Sequence, residues 1–180
     1  MNKEAARIFA KSNVKALPTQ ARQVFDEQIF ERVVNSSVYK NCKSIFIYRS
    51  LKSEVSTVKL IKKALEDKKA VYCPVTREKE MFAVPVTIET KYVKGALKIS
   101  EPVGEPFSGK IDLVIVPLTA YDDKLNRVGK GGGYYDRYLK NRKSIKLGIA
   151  YSCQCVNNVS AEEYDVPLDM LINEKETICG

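Results

Sequence analysis

Between Asn126 and Leu139 the chain reads NRVGKGGGYYDRYL, with Gly129, Gly131, Gly132 and Gly133 packed around Lys130 and two tyrosines and an Asp-Arg pair directly after them. Glycine accepts positive φ and lets backbone N–H groups come close to a ligand. A loop of this kind running into a helix N-terminus aims those donors, and the positive end of the helix dipole, at an anion. The stretch is therefore expected to cradle phosphate. It is not a Walker A loop, because no Gly-Lys-Ser/Thr closes it, and it is not a dinucleotide fingerprint, because Tyr134 stands where the third glycine would be. The bland alternative is a glycine-rich turn whose tyrosines anchor the core. Asp136 falls in the first turn of the helix expected after the loop, where a carboxylate is electrostatically comfortable with or without a metal.

Other chemistry is narrowed by composition. The chain contains no histidine, which excludes His-based triads and His general bases and leaves carboxylate, Lys, Tyr, Cys or metal-bound groups for acid-base work. Five cysteines, an odd number, are scattered, and the single CxC at Cys153 and Cys155 has no second close pair, so neither a disulfide framework nor a thiolate zinc site is expected. The formal charge of +8 suits an acidic partner but does not choose between nucleic acid, nucleotide and polycarboxylate. A generally lysine-rich solvated surface explains it as well, since Lys59, Lys62, Lys63, Lys68 and Lys69 lie on what reads as a solvated helix face. No basic stripe interleaved with aromatics marks a nucleic-acid surface. No apolar run approaches the roughly 20 residues of a membrane span, and the first residues lack a long apolar signal core, so a cytoplasmic protein without membrane contact is expected.

The elements that must position the loop follow from periodicity. Helical spacing marks a first segment with Ala5, Ile8 and Phe9 and a second, opening at Pro18 or Thr19, with Val24, Phe25, Ile29, Phe30, Val33 and Val34. Ser44 to Tyr48 is a short β-rich run, a helix is expected from about Ser53 to Asp67, and Ala70 to Val75 reads as the strand that completes a parallel crossover. EMFAVPVTI is a further strand that Pro85 demotes to an edge, and Lys94 to Gly109 reads mostly as loop. Ile111 to Pro117 and Ile145 to Tyr151 are continuous apolar runs of the kind buried on both faces of a sheet. At 180 residues, with 44% hydrophobic and 29% charged residues, the chain is expected to form one domain over 1–180. Its fold class is α/β, an open, mostly parallel sheet with helices on both faces, and the glycine loop lies beyond the carboxyl end of a buried strand, where such sheets bind ligands.

With these residues in view, the chain resembles the 5-formyltetrahydrofolate cyclo-ligase family, also called methenyltetrahydrofolate synthetase. RVGKGGGYYDRYL carries the resemblance, with IDLVIVPLTAYD before it and LGIAYSCQ after it, Lys3 and Arg7 matching an N-terminal Lys-x-x-x-Arg, YRSLKSEVST around Glu54 and EYDVPLD around Asp165. The resemblance implies a fold like that of the sugar-phosphate isomerase and coenzyme A transferase group. It also implies an ATP- and Mg2+-dependent ligase that converts 5-formyltetrahydrofolate, with or without a polyglutamate tail, to 5,10-methenyltetrahydrofolate with release of ADP and phosphate. Phosphoryl transfer rests on positioning and charge neutralisation, so the missing histidines do not count against it.

Carried over by residue, the resemblance implies an ATP site of Lys3, Arg7 and the span Arg127, Val128, Gly129, Lys130, Gly131, Gly132, Gly133, Tyr134 and Tyr135. Asp136 and Asp165 become the magnesium ligands, Glu54 the carboxylate that accepts hydrogen bonds from the pterin, and Arg49, Met81, Tyr134 and Tyr135 lining of the folate pocket. Arg127, Lys130 and Tyr135 are the catalytic candidates. The chain departs from the family pattern at Ser56, at Leu97-Lys98 before the Ile-x-Glu-Pro turn, and at Tyr164. A monomer acting on small molecules is expected. Two alternatives stay open: an enzyme of the same fold group acting on a sugar phosphate, which needs the anion cradle but not Lys3 and Arg7, and a polyanion-binding protein.

Overall fold

A computed structural model describes residues 1–95 and 99–180; the departure at Leu97 and Lys98 lies outside the described residues. Three helices, α1 (Lys3–Ala16), α2 (Thr19–Asn35) and α3 (Ser37–Asn41), lead into strand β1 (Ser44–Ile47). Helix α4 (Val58–Glu66) then connects to β2 (Ala70–Arg77), which turns into β3 (Glu80–Val86). A small hairpin of β4 (Tyr92–Lys94) and β5 (Ser100–Pro102) follows, then β6 (Leu113–Val116), a second small ribbon of β7 (Ala120–Tyr121) and β8 (Arg127–Val128), and the short helix α5 (Tyr134–Leu139). Strands β9 (Ile145–Ile149), β10 (Met170–Ile172) and β11 (Thr177–Cys179) complete the order.

Seven strands form one sheet in the order β11-β10-β9-β6-β1-β2-β3. The pairs among β10, β9, β6, β1 and β2 are parallel, whereas β3 and β11 close the two edges antiparallel. Pro85 sits in edge strand β3, where its missing N–H interrupts no interior ladder. Period-two alternation sends Ile45, Ile47, Leu113, Ile115, Leu147 and Ile149 to one face, where they pack with Ile29 and Val33 of α2, Tyr39 of α3 and Leu60, Ile61 and Ala64 of α4. Phe46, Val114, Val116 and Leu171 point to the other face and meet Tyr138 and Leu139 of α5. Helices thus cover both faces, but unequally: α5 alone serves the second, and loops do the rest.

One boundary differs from the periodicity. Helix α4 starts at Val58, not near Ser53, because Ser50 and Thr57 lock the preceding segment as a loop: Thr57 N donates to Ser50 Oγ and Ser50 N to Thr57 Oγ1, both at 3.1 Å, while Thr57 Oγ1 donates to the Tyr48 carbonyl at 2.6 Å. Helix α5 ends at Leu139 after six residues. Lys94 to Gly109 is mostly loop among the described residues, with β5 and Lys94 of β4 as its named strand residues.

The chain leaves β1 toward β2 and β3 on one side and, after returning at β6, continues to β9 and β10 on the other. Neighbours β1 and β6 therefore flank a topological switch point, and an open α/β sheet leaves a crevice outside the carboxyl ends of such a pair.

Candidate active site

A cavity of about 550 Å3 opens at that crevice. The connection after β1 supplies Tyr48, Arg49, Leu51 and Glu54, the one after β6 supplies Pro117 and Leu118, and β8 with the glycine loop and the start of α5 supplies the run from Arg127 to Asp136. Lys3 and Arg7 reach it from the first turns of α1, and Asp165 from the segment before β10. Every site residue picked out in the sequence lines this one cavity, Met81 of β3 included.

The end nearest α1 is cationic and pre-tied. Arg7 Nε donates to the Gly129 carbonyl at 2.8 Å, fixing the glycine loop against α1. Arg127 is buried, and its Nη2 donates to Asp136 Oδ1 at 2.6 Å, the same oxygen that accepts from Val166 N–H at 3.1 Å. Lys3 bridges both Asp165 oxygens, at 2.8 and 2.7 Å, and also pairs with Glu162. Burial alone would lower the Lys3 ammonium, but its bonds to Asp165 and Glu162 outweigh that and hold it above its ordinary range. Three buried atoms of cavity residues, Arg49 Nε, Arg127 Nε and Tyr135 Oη, have no hydrogen-bond partner among the described residues; Arg22 Nε and Tyr138 Oη, outside the cavity lining, have none either. Burial, and then the nearby Glu54 carboxylate, pushes the Tyr135 phenol well above its ordinary value, so it stays a donor through the neutral range.

Gly131 and Gly133 hold the loop in left-handed backbone, at φ +102° and +65°, a conformation that L side chains resist. A Cβ on Gly133 would meet Arg137 Nη1 at 2.6 Å and one on Gly132 the Tyr134 ring at 2.8 Å, so these two glycines make room for side chains of α5. A Cβ on Gly129 or Gly131 would meet nothing nearer than Arg127 Nη1 or Arg7 Nη2, at 3.7 Å in each case; these are the positions that leave the cationic end open. With only six residues in α5, the anion cradle rests on loop N–H groups and guanidinium charge more than on a helix dipole.

Glu54 Oε2 accepts from Leu51 N–H at 2.7 Å, and its Oε1 pairs with Lys130 Nζ at 2.5 Å. The two loops, expected to serve separate ligands, are joined by this ion pair. Arg49 lies with its guanidinium 4.0 Å from the centroid of the Tyr92 ring, and Tyr134 Oη donates to the Glu78 carbonyl at 3.1 Å. Tyr164, one of the departures, is exposed beside Lys3, whose ammonium sits 5.1 Å from the ring centroid.

Periodicity missed two acidic members of this wall. Glu101 of β5 is buried, and its Oε1 accepts from Thr76 N–H and Oγ1 at 2.9 and 2.7 Å; a carboxylate directly before a proline was its only trace in the sequence. Glu162 left none, being one acidic residue among several near Asp165. Among the described residues no cluster of three or more His, Cys, Asp or Glu could cage a metal. Asp136 and Asp165 both line the cavity, and carboxylate oxygen is the donor type that suits magnesium, which takes one or two protein carboxylates and completes its shell with phosphate and water. All five cysteines are free, and burial pushes the Cys73 thiol up to about 12, so it is inert.

A glycine-rich loop, guanidinium groups and acceptor carboxylates around one crevice at a sheet switch point fit an α/β enzyme that acts on an anionic small molecule. Residues 2–174 match the model of the 5-formyltetrahydrofolate cyclo-ligase family, and the chain belongs to that family. It is 33% identical over 174 residues to the 5-formyltetrahydrofolate cyclo-ligase of Haemophilus influenzae, covering 90% of this chain and 91% of that protein. The NMR structure of Aquifex aeolicus 5,10-methenyltetrahydrofolate synthetase superposes with a TM-score of 0.88 at 30% identity, covering 98% of this chain and 92% of that one. The 5,10-methenyltetrahydrofolate synthetase of Mycoplasma pneumoniae gives 0.76 at 27% identity, over 97% and 100% of the two chains.

Proposed function

We propose that the chain, acting as a monomeric single domain over residues 1–180, closes 5-formyltetrahydrofolate to 5,10-methenyltetrahydrofolate at the expense of Mg2+-ATP. The observation that carries this reading is the shared cavity: the cationic glycine loop and Glu54, from a separate connection, line it together. The reaction needs phosphate and folate side by side, because hydroxide is a poor leaving group from a formamide carbon. The formyl oxygen attacks the γ-phosphorus, an O–P bond forms as the bond to the β-phosphate oxygen breaks, and ADP leaves. N10 then closes on the activated carbon, loses its proton, and the C–O bond breaks with release of phosphate.

No protein nucleophile is required; the side chains position and neutralise. Lys3, Arg7 and the N–H groups from Val128 to Gly133 hold the triphosphate. Arg127 and Lys130 face the charge that develops on the transferring phosphoryl group, and the protonated Tyr135 hydroxyl donates to the reacting oxygen. Glu54 accepts from the pterin, with Arg49, Met81 and Tyr134 as its walls. Asp136 and Asp165 would hold Mg2+, which supplies charge neutralisation at phosphate oxygens. Lys3 and Arg7 at the cavity favour a nucleotide over a sugar phosphate, which would need the cradle alone.

The test is the absorbance of 5,10-methenyltetrahydrofolate on mixing the protein with 5-formyltetrahydrofolate and Mg2+-ATP. Product should form, and EDTA or omission of ATP should each abolish it. Cyclisation that continues without ATP or with EDTA present would overturn the reading.

A further inference from the structure

Helix α2 grips the Glu54 loop from the side away from the cavity, at one point on each side of Glu54. Arg22 Nη2 donates to the Lys52 carbonyl, and one helical turn later Asp26 Oδ1 accepts from Ser56 N–H at 3.1 Å. Neither Arg22 nor Asp26 lines the cavity. The same Asp26 oxygen accepts from Tyr151 Oη at 2.6 Å, and Tyr151 is wholly buried just beyond the end of β9, with the Arg22 guanidinium 5.6 Å from its ring centroid. A tether therefore runs from the sheet through Tyr151 and Asp26 to the backbone two residues beyond Glu54. The loop needs one: residues 51–57 lie in neither helix nor strand, and a carboxylate that selects its ligand must be held to within about 0.5 Å.

We propose that Asp26, supported by Arg22 and Tyr151, is a positioning residue for folate recognition. It touches no substrate; it sets the backbone from which Glu54 reaches the pterin. The inference rests on the folate role of Glu54 given above.

Steady-state kinetics with each substrate varied, on Asp26→Ala, Asp26→Asn, Glu54→Gln and the double variant Asp26→Ala/Glu54→Gln, test the proposal. Asp26→Ala should raise the KM for 5-formyltetrahydrofolate about tenfold while leaving the KM for ATP within about twofold. Asp26→Asn keeps an acceptor for Ser56 N–H and should recover most of the loss. The double variant should be no worse toward folate than Glu54→Gln alone, because a residue that acts only through Glu54 has nothing left to position. Full additivity in the double variant, equal losses for both substrates, or a parent-like folate KM in Asp26→Ala beside an impaired Glu54→Gln would each overturn it. If Asp26→Ala loses its native circular dichroism, Tyr151→Phe, which removes the pinning hydroxyl and keeps the ring, takes its place in the same cycle. A parent protein with no ATP-dependent cyclisation would instead remove the functional reading on which the inference stands.

Discussion

Arg127 Nε and Tyr135 Oη are polar atoms buried at the cavity with no partner among the described residues, and a buried donor without an acceptor costs about 1–3 kcal/mol. Such a cost is tolerated where a ligand supplies the missing acceptor, and phosphate and formyl oxygens are acceptors of that kind. Under the proposed reaction, these two atoms and the equally unpartnered Arg49 Nε are the ones that substrate oxygens would satisfy. Tyr135→Phe separates folding from chemistry: it removes the unsatisfied hydroxyl and keeps the ring that packs 6.3 Å from Phe46, centroid to centroid. The variant should match or exceed the parent by about 1 kcal/mol in urea unfolding, yet lose about tenfold or more in turnover. Parent-like turnover would show that the ring alone is needed and that the hydroxyl belongs to no reacting oxygen.

At the level of elements, the glycine loop divides into two jobs, and each predicts a different failure. Gly133→Val forces a branched side chain into φ +65° and against Arg137, so it should cost about 2–3 kcal/mol of stability as well as nucleotide binding. Gly129 carries no positive φ, and its Cβ would make only ordinary contact, so Gly129→Ala should fold like the parent and weaken ATP alone. Calorimetric titration with ATP, beside a thermal melt, distinguishes them; unchanged ATP affinity in Gly129→Ala would mean that the loop backbone does not approach phosphate. The same division marks what sequence reading can and cannot reach. Strands β6 and β9 were legible because burial on both faces demands continuous apolar runs, β1 because its residues are β-rich, and the loop because only glycine permits its geometry. The start of α4 was not, because Ser53 to Thr57 has acceptable helical spacing and is held out of the helix by side-chain bonds from Ser50, Thr57 and distant Asp26. Nor was the Glu54–Lys130 pair, which joins residues on two connections that only the sheet order brings together.

Across the whole molecule, the site is assembled from parts distant in the chain, and its cationic end depends on α1 docking against the far C-terminal half. Ala6 and Ala10 of α1 pack with Ala120, Val128, Val156 and Val159, Met1 N donates to the Asn158 carbonyl at 2.6 Å, and Lys3 reaches Asp165. The small alanines let the helix come close enough for Arg7 to bond Gly129, while the sheet keeps its own core on α2, α3 and α4. Binding and folding should therefore be separable. Mg2+-ATP at about a hundred times its Kd adds about 2.7 kcal/mol to the native state, which for a chain of this size raises the melting temperature by about 5–10 °C. Arg7→Ala removes a half-buried guanidinium and leaves the alanine and valine packing of α1 intact, so its ligand-free melting temperature should lie within a few degrees of the parent's. Its shift with Mg2+-ATP should be largely abolished at the same concentration, and excess 5-formyltetrahydrofolate alone should still stabilise it as it does the parent. A full Mg2+-ATP shift in Arg7→Ala would place the triphosphate elsewhere in the cavity. A loss of both ligand shifts would mean that α1 organises the entire site and not its nucleotide end alone.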